Sequence, residues 1–135
     1  MLCRIISLFS LIYLVSTAQL VDANPIRYVA IGDSYTVATG IDEKKSWPYQ
    51  LTQKLKSAGI KISLIKVLGM RGATSQQTLS EVMPLLKHLK PEFITLLIGV
   101  NDWIREGVNS RKFKIRIKNL IDAIQSDLPT PRKLL

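Results

Sequence analysis

Three short apolar runs, separated by segments with helical spacing, restrict this chain to a small set of folds. The runs are Tyr28 to Ile31, Ile60 to Val67 and Glu92 to Ile98, and their composition is typical of buried β-strands. A helical crossover between successive strands makes those strands parallel and the connection right-handed. We therefore expect a three-layer α/β/α fold with a mostly parallel, flavodoxin-like sheet.

Three helices are predicted between and after these strands. The first begins after a Ser46 cap, with proline in its first turn, and ends at Gly59. The second covers 75–89 and should be kinked or divided by Pro84, which lies inside it. The third is capped by Ser110 and runs to about Asp127, where its apolar stripe stops.

Each predicted strand is followed by glycine and polar residues. Ser34 comes directly after the first strand in Gly-Asp-Ser, Gly72 lies in the loop after the second, and Asn101 follows the third. The loops at the carboxyl ends of parallel strands meet at one edge of the sheet, where ligands bind in open α/β folds. Each stretch alone is ordinary turn sequence. Together, a serine hydroxyl, a glycine N–H and an asparagine amide could supply a nucleophile and two oxyanion donors.

In this order the three stretches resemble the sequence blocks of the SGNH (GDSL-type) hydrolase family. The matching blocks are Gly32 to Tyr35, Gly69 to Thr74 and Gly99 to Asp102. The resemblance extends from Ile26 to about Leu128. It is strongest to secreted esterases of the lysophospholipase and thioesterase type.

The resemblance implies a role for each of the three residues. Ser34 would be the nucleophile, and the backbone N–H groups of Ser34 and Gly72 would form the oxyanion hole with the Asn101 side chain. The implied substrate is a small-molecule or lipid ester, hydrolysed through an acyl-serine. No metal and no cofactor are implied.

One block of the family is missing. The carboxyl-terminal Asp-x-x-His that supplies the base does not occur, and the chain has a single histidine, His88. His88 lies about fourteen residues into the second helix, which at ~1.5 Å per residue puts it roughly 20 Å from the active edge. It is therefore expected to be a surface residue. A pairing of Ser34 with Lys44 or Lys45 has no supporting spacing.

The sequence also stops where a fourth strand would begin, at 132–135. We therefore expect the amino-terminal part of a longer esterase domain, with a sheet truncated after its third strand. Such a chain should be nearly inactive as an esterase for lack of a base. The unpaired third strand should promote self-association through an exposed sheet edge.

The first residues predict export. Arg4, the apolar run at 5–15 and Ala18 fit a signal peptide covering 1–18, with an alternative cut after Ala23. The run is too short for a membrane-spanning helix, so no stable membrane anchor is expected after cleavage. The predicted location is secreted or periplasmic, and residues 24–135 form the domain.

The net charge of +9 leaves other classes of function to consider. Its late cations, between Arg105 and Lys118, interleave with apolar residues at helical spacing, which favours a solvated helix face. The chain lacks the aromatic platform of a nucleic-acid binder, so no nucleic-acid partner is expected.

Two alternatives to the esterase stay open. One is a non-catalytic remnant or binding protein of the same fold. The other is a flavodoxin-like phosphate or nucleotide binder using 69–74, although no Gly-Lys-Ser/Thr follows this loop.

Overall fold

A computed structural model of the protein describes residues 24–128. Within them, β1 (Ile26–Gly32), β2 (Ile62–Gly69) and β3 (Phe93–Leu97) form one parallel sheet in the order β2-β1-β3. This confirms the predicted α/β class and the parallel sheet, with strand bounds that differ by one or two residues. The predicted signal peptide and the fourth strand at 132–135 lie outside the described residues.

The central strand separates two apolar clusters, one on each face of the sheet. Val29 and Ile31 point into the cluster that contains Leu86 and Leu120. Tyr28 and the alternate side chains of β1 point into the other cluster, against the first helix. Because successive side chains of a strand face opposite sides, β1 is buried on both faces, and the sheet becomes the middle of three layers.

The first and last helices begin close to their predicted starts, but their caps differ from expectation. A 3₁₀ turn (Glu43–Lys45) precedes α1 (Trp47–Ser57), and the buried Ser46 hydroxyl before α1 has no hydrogen-bond partner among residues 24–128. The last helix, Ser110–Asp127, is capped by Asn109, whose side chain accepts from the Lys112 N–H at 2.9 Å. The predicted Ser110 cap is therefore wrong by one residue, because the chain still has extended ψ at Asn109 and is helical from Ser110.

The helix predicted between β2 and β3 is divided, as expected from Pro84. It consists of α2 (Ser75–Gln77), a π-helical turn (Thr78–Val82) and α3 (Met83–Leu86). In the π turn the N–H of Met83 donates to the Thr78 carbonyl, one residue farther back than in an α-helix. The next residue, Pro84, has no N–H to continue the regular ladder. The helix ends at Leu86, earlier than the predicted Leu89.

A short helix that the sequence did not predict follows β3. This helix, α4 (Val100–Ile104), contains Asn101, and it leads to the long last helix, α5 (Ser110–Asp127). Gly99 precedes α4 with φ of 124°, and a Cβ atom there would lie 2.7 Å from Cζ of Phe113. Only glycine fits both the backbone conformation and the space. Within the described range of the chain, no helix is long and apolar enough to cross a membrane.

Candidate functional site

Ser34 lies in a tight turn just past the end of β1. The buried Asp33 holds this turn, since its Oδ1 accepts from the Tyr35 N–H at 3.0 Å and its carbonyl accepts from the Thr36 N–H at 3.0 Å. A Cβ atom at Gly32 would lie 2.2 Å from Oγ1 of Thr36, so the turn can form only with glycine there. The half-buried Ser34 side chain is left without a hydrogen-bond partner among residues 24–128.

The loop after β2 approaches the same turn. A Cβ atom at Gly69 would lie 2.2 Å from the carbonyl oxygen of Gly32, so the two strand ends meet through glycines. Gly72 has a φ of 73°, in the left-handed region that favours glycine. Its carbonyl oxygen accepts a hydrogen bond from Nη1 of Arg105. The N–H of Ala73 donates back to the Met70 carbonyl at 3.1 Å, which closes the turn.

Asn101 joins the three strand-end loops. Its side-chain nitrogen donates to the Ala73 carbonyl oxygen at 3.0 Å and lies 3.3 Å from Oδ2 of Asp33. These partners are the neighbours of Gly72 and of Ser34, respectively. The structure thus brings the three sequence-predicted stretches to one edge of the sheet.

A buried carboxylate next to Asn101 adds partners that the sequence did not reveal. Asp102 accepts from the N–H of Ser75 at 2.8 Å and from the Ser75 hydroxyl at 2.5 Å, and both residues are fully buried. Nη1 of Arg116, on α5, donates to Asp102 at 3.1 Å and to Glu106 at 2.6 Å. The hydrogen bond to Arg116 lowers the pKa of the Glu106 carboxyl below its usual value. Only the position of Asp102 beside Asn101 could have hinted at this network.

His88 lies at the opposite edge of the sheet. It is exposed, and the carbonyl oxygen of its neighbour Leu89 accepts from Nη2 of Arg27 at 2.7 Å. Arg27 is near the start of β1, whereas Ser34 follows its end. At ~3.3 Å per residue the two ends of that stretch are roughly 23 Å apart. His88 is therefore no base for Ser34 in this structure.

The lysines considered as alternative bases do not contact Ser34 either. Lys44 and Lys45 are exposed in the 3₁₀ turn before α1. Among residues 24–128, no cluster of three or more His, Cys, Asp or Glu side chains could hold a metal ion. Neither the lysines nor His88 contact Ser34, and the Asn101 amide lies beside Asp33, the residue before Ser34.

An apolar cavity of about 420 Å³ opens at Gly99 and Val100, between α4 and the start of α5. Trp103, 72% exposed, forms part of its wall, and Lys114 lies at its other side. The remaining lining residues are Ile98, Gly99, Val100, Ser110 and Phe113. A cavity of this kind suits an apolar group better than a charged one.

A family model and known proteins match most of the described chain. The model of the GDSL-like lipase/acylhydrolase family matches residues 30–134. Esterase TesA of Pseudomonas aeruginosa is 29% identical over 77 residues, which are 57% of this chain and 38% of that protein.

Solved structures show the same fold. AlinE4, an SGNH-hydrolase family esterase, has a TM-score of 0.68 and 25% identity, over 77% of this chain and 55% of its own. A family 3 carbohydrate esterase of Clostridium thermocellum has a TM-score of 0.67 and 27% identity, over 77% of this chain and 57% of its own. The chain thus spans little more than half the length of these solved relatives.

Proposed function

Because the chain belongs to the GDSL-like lipase/acylhydrolase family, we propose that it carries the nucleophile and the oxyanion hole of a serine ester hydrolase. The observation that carries the proposal is the pair of contacts from Asn101 to Ala73 and Asp33, because they gather the three loops at one point. A nucleophile flanked by preorganised donors is what acyl transfer requires.

In the proposed reaction Oγ of Ser34 attacks the ester carbonyl carbon, and the carbonyl oxygen becomes an oxyanion. The N–H groups of Ser34 and Gly72 and the side-chain amide of Asn101 donate to that oxyanion. Asn101 can release its longer contact, at 3.3 Å to Asp33, while keeping the 3.0 Å bond to Ala73. In these 135 residues the serine proton passes to solvent, and the departing alkoxide takes a proton from solvent. Water next cleaves the acyl-serine and restores the hydroxyl.

We propose a substrate with an apolar part, either a small-molecule or a lipid ester. The support is the apolar cavity between α4 and α5, with Val100 and Trp103 in its wall. A hydrocarbon chain bound there would leave water, which is favourable by about 0.8 kcal/mol per buried CH₂.

We further propose that these 135 residues alone hydrolyse esters only slowly. A serine hydroxyl is a weak nucleophile near pH 7 without an adjacent base. His88, the single histidine, lies at the far edge. In a serine triad the loss of the base costs about as much as the loss of all three members, and the residual rate comes from the oxyanion hole and binding.

The phosphate-binding alternative is disfavoured by the loop it would use. The N–H groups of Ala73, Thr74 and Ser75 already donate to protein oxygens, at 3.1, 3.2 and 2.8 Å respectively. A phosphate would need several of these donors to be free. A non-catalytic protein of the same fold is the remaining alternative.

Labelling of Ser34 separates the esterase from that alternative. A fluorophosphonate probe should form a covalent bond to Ser34 of the full chain, and the rate should rise with pH because the alkoxide must form without a base. Peptide mass spectrometry would locate the label. In Ser34→Ala the label should be lost, whereas Ser80→Ala, which removes an exposed hydroxyl on the π turn, should keep it. A label spread over surface residues would overturn the assignment.

Hydrolysis of a short-chain p-nitrophenyl ester gives the matching activity test. The wild-type rate should be low, and Ser34→Ala should remove whatever part exceeds background. Robust turnover that disappears in Ser34→Ala would show that a base is present in the chain. Equal rates with and without the hydroxyl, at every pH, would contradict the proposed nucleophile.

We also propose export, which rests on Arg4, the apolar run at 5–15 and Ala18. Amino-terminal sequencing of the protein recovered from the medium or periplasm should begin at Gln19 or Asn24. An intact Met1 on soluble cytoplasmic protein would contradict export.

A further inference from the structure

Three residues of one short helical segment hold three residues of the loop that carries Gly72. Arg105, directly after α4, donates to the Gly72 carbonyl, and Asn101 donates to the Ala73 carbonyl. Asp102 accepts from both the N–H and the hydroxyl of Ser75. From this arrangement we infer that 101–105 acts as a clamp on 72–75, the stretch that supplies the proposed Gly72 donor, with Asp102 and Arg105 as positioning residues for ester hydrolysis. The effect of the clamp on the reaction rate rests on the proposed function, whereas its effect on the structure of 72–75 does not.

Arg105 acts on the least constrained residue of the loop. Glycine adopts a φ near 73° about as readily as several other conformations, so Gly72 by itself does not fix the relative orientation of the two peptide planes that it joins. The Arg105 guanidinium lies against Gly72, with Nη1 2.9 Å from where a Cβ atom would be. Its hydrogen bond to the carbonyl fixes the peptide plane that follows Gly72.

Asp102 holds the other end of the loop. Ser75 is the first residue of α2, and its N–H and hydroxyl both bind one buried carboxylate. Arg116 fastens that carboxylate to α5, whose Leu120 and Ile124 lie in the main apolar cluster. The loop is thus tied through Asp102 to the body of the protein.

Since Asn101 and Asp102 are adjacent on α4, the clamp also sets the distance between the two proposed oxyanion donors. The N–H of Gly72 comes from the clamped loop, and the Asn101 amide comes from the helix that clamps it. A displacement of about 1 Å at a catalytic site can lower the rate by roughly 10²-fold. The clamp therefore affects the transition state more than the binding of the ground-state ester.

Amide hydrogen exchange, measured by NMR on the full chain, tests the clamp without any need for catalysis. Asp102→Asn should speed exchange at Ser75 by about tenfold or more, because a hydrogen bond to a charged acceptor is lost. Arg105→Gln should speed exchange at Ala73, whose N–H shares a peptide plane with the Gly72 carbonyl and donates to the Met70 carbonyl, and Arg105→Lys should restore part of the protection. Asp122→Asn is the control for Asp102, since it removes an exposed carboxylate paired with Lys118 on α5.

The exposure of Arg105 keeps the test valid if the buried Asp102 variant does not fold. Arg105→Gln then decides alone, with Arg111→Gln, another exposed arginine, as its control. Exchange at Ala73 that stays the same in Arg105→Gln as in its control overturns the clamp.

Kinetics test the functional half of the inference. In the Ser34-dependent hydrolysis, Asp102→Asn and Arg105→Gln should lower kcat by roughly ten- to a hundredfold and leave KM within about twofold. A higher KM at unchanged kcat would contradict a positioning role. If Ser34→Ala shows that no Ser34-dependent hydrolysis exists, the proposed function fails, and the exchange result still decides whether the clamp exists.

Discussion

At the carboxyl edge of the sheet, buried polar side chains are hydrogen-bonded to other described residues, whereas the flank formed by β3 and α5 leaves an apolar groove open. At the edge, the buried carboxylates of Asp33 and Asp102 accept hydrogen bonds from the N–H groups of Tyr35 and Ser75, respectively. The flank is an apolar groove of about 570 Å³ between β3 and α5. Its lining residues are Phe93, Ile94, Thr95, Leu96, Ile98, Phe113, Ile117, Ile121 and Ile124.

The contrast separates two kinds of stabilisation. The edge depends on directional hydrogen bonds, so a change of one atom there should change function. The flank depends on the removal of apolar surface from water, which does not depend on direction. Within the part of the chain that the structure describes the groove is open, and Ile121 at its wall is 36% exposed. Substitutions at the flank should therefore change association and leave the edge intact.

The largest effect expected from one donor at the edge is that of Asn101→Ala. The variant loses a proposed oxyanion donor and the bond to Ala73, so kcat of the Ser34-dependent hydrolysis should fall by roughly 10²- to 10³-fold. Steady-state kinetics with a p-nitrophenyl ester would measure the loss. Asn119→Ala, at an exposed position of α5, is the matched control and should keep the wild-type rate. A loss of less than about threefold in Asn101→Ala would show that the amide does not contact the oxyanion.

The sequence predicted the strand-end positions of Ser34, Gly72 and Asn101 because each follows an apolar run of strand length. It did not predict α4, since five residues after a glycine show no helical period. It also could not pair Asp102 with Arg116, 14 residues away, because such contacts depend on how α5 packs.

Because proline lacks an N–H, the sequence predicted that the helix containing Pro84 would be divided. It did not predict that the irregular part would be a π turn before Pro84. The misplaced cap at Ser110 has a similar origin, because Asn109 and Ser110 are both favourable capping residues in sequence. Local chemistry therefore predicted the elements and the edge that they form. The partners across the edge required the tertiary structure.

At the flank, we propose self-association of the 135-residue chain through the groove, and Ile121→Lys should weaken it. A charged side chain at the groove wall would have to lose its hydration to enter an apolar contact. The dissociation constant, measured by sedimentation equilibrium, should rise by about tenfold or more. Ile115→Lys is the control, because Ile115 is also exposed on α5 but does not line the groove. A monomeric wild-type chain, or equal effects of the two lysines, would contradict association through this face.

A smaller effect is expected at the rim of the edge, from Glu106→Gln. Arg116 lowers the pKa of the Glu106 carboxyl below its ordinary value of 4.5, so this pair stabilises the folded state above about that pH. The contribution should disappear as the pH falls through the lowered pKa and the carboxyl becomes protonated. Thermal unfolding should give a slightly lower Tm for the variant at pH 6, and the difference should shrink as the pH falls through the lowered pKa. Because Glu106 is exposed, the shift should be small, and a difference that does not change with pH would assign it to lost packing instead.

The smallest effect of all is expected from His88→Ala, although His88 is the single histidine of a proposed serine hydrolase. Its side chain is exposed and lies beside Leu89, which bonds to Arg27 at the amino end of β1. Roughly 23 Å along β1 separates this end of the sheet from Ser34. The Ser34-dependent rate and its pH profile should therefore match wild type within about twofold, with Lys87→Ala as the neighbouring control. A rate that drops to the Ser34→Ala level in His88→Ala alone would mean that the two edges meet in the active protein. The comparison between the carboxyl edge and the flank would then have to count His88 as part of the active site.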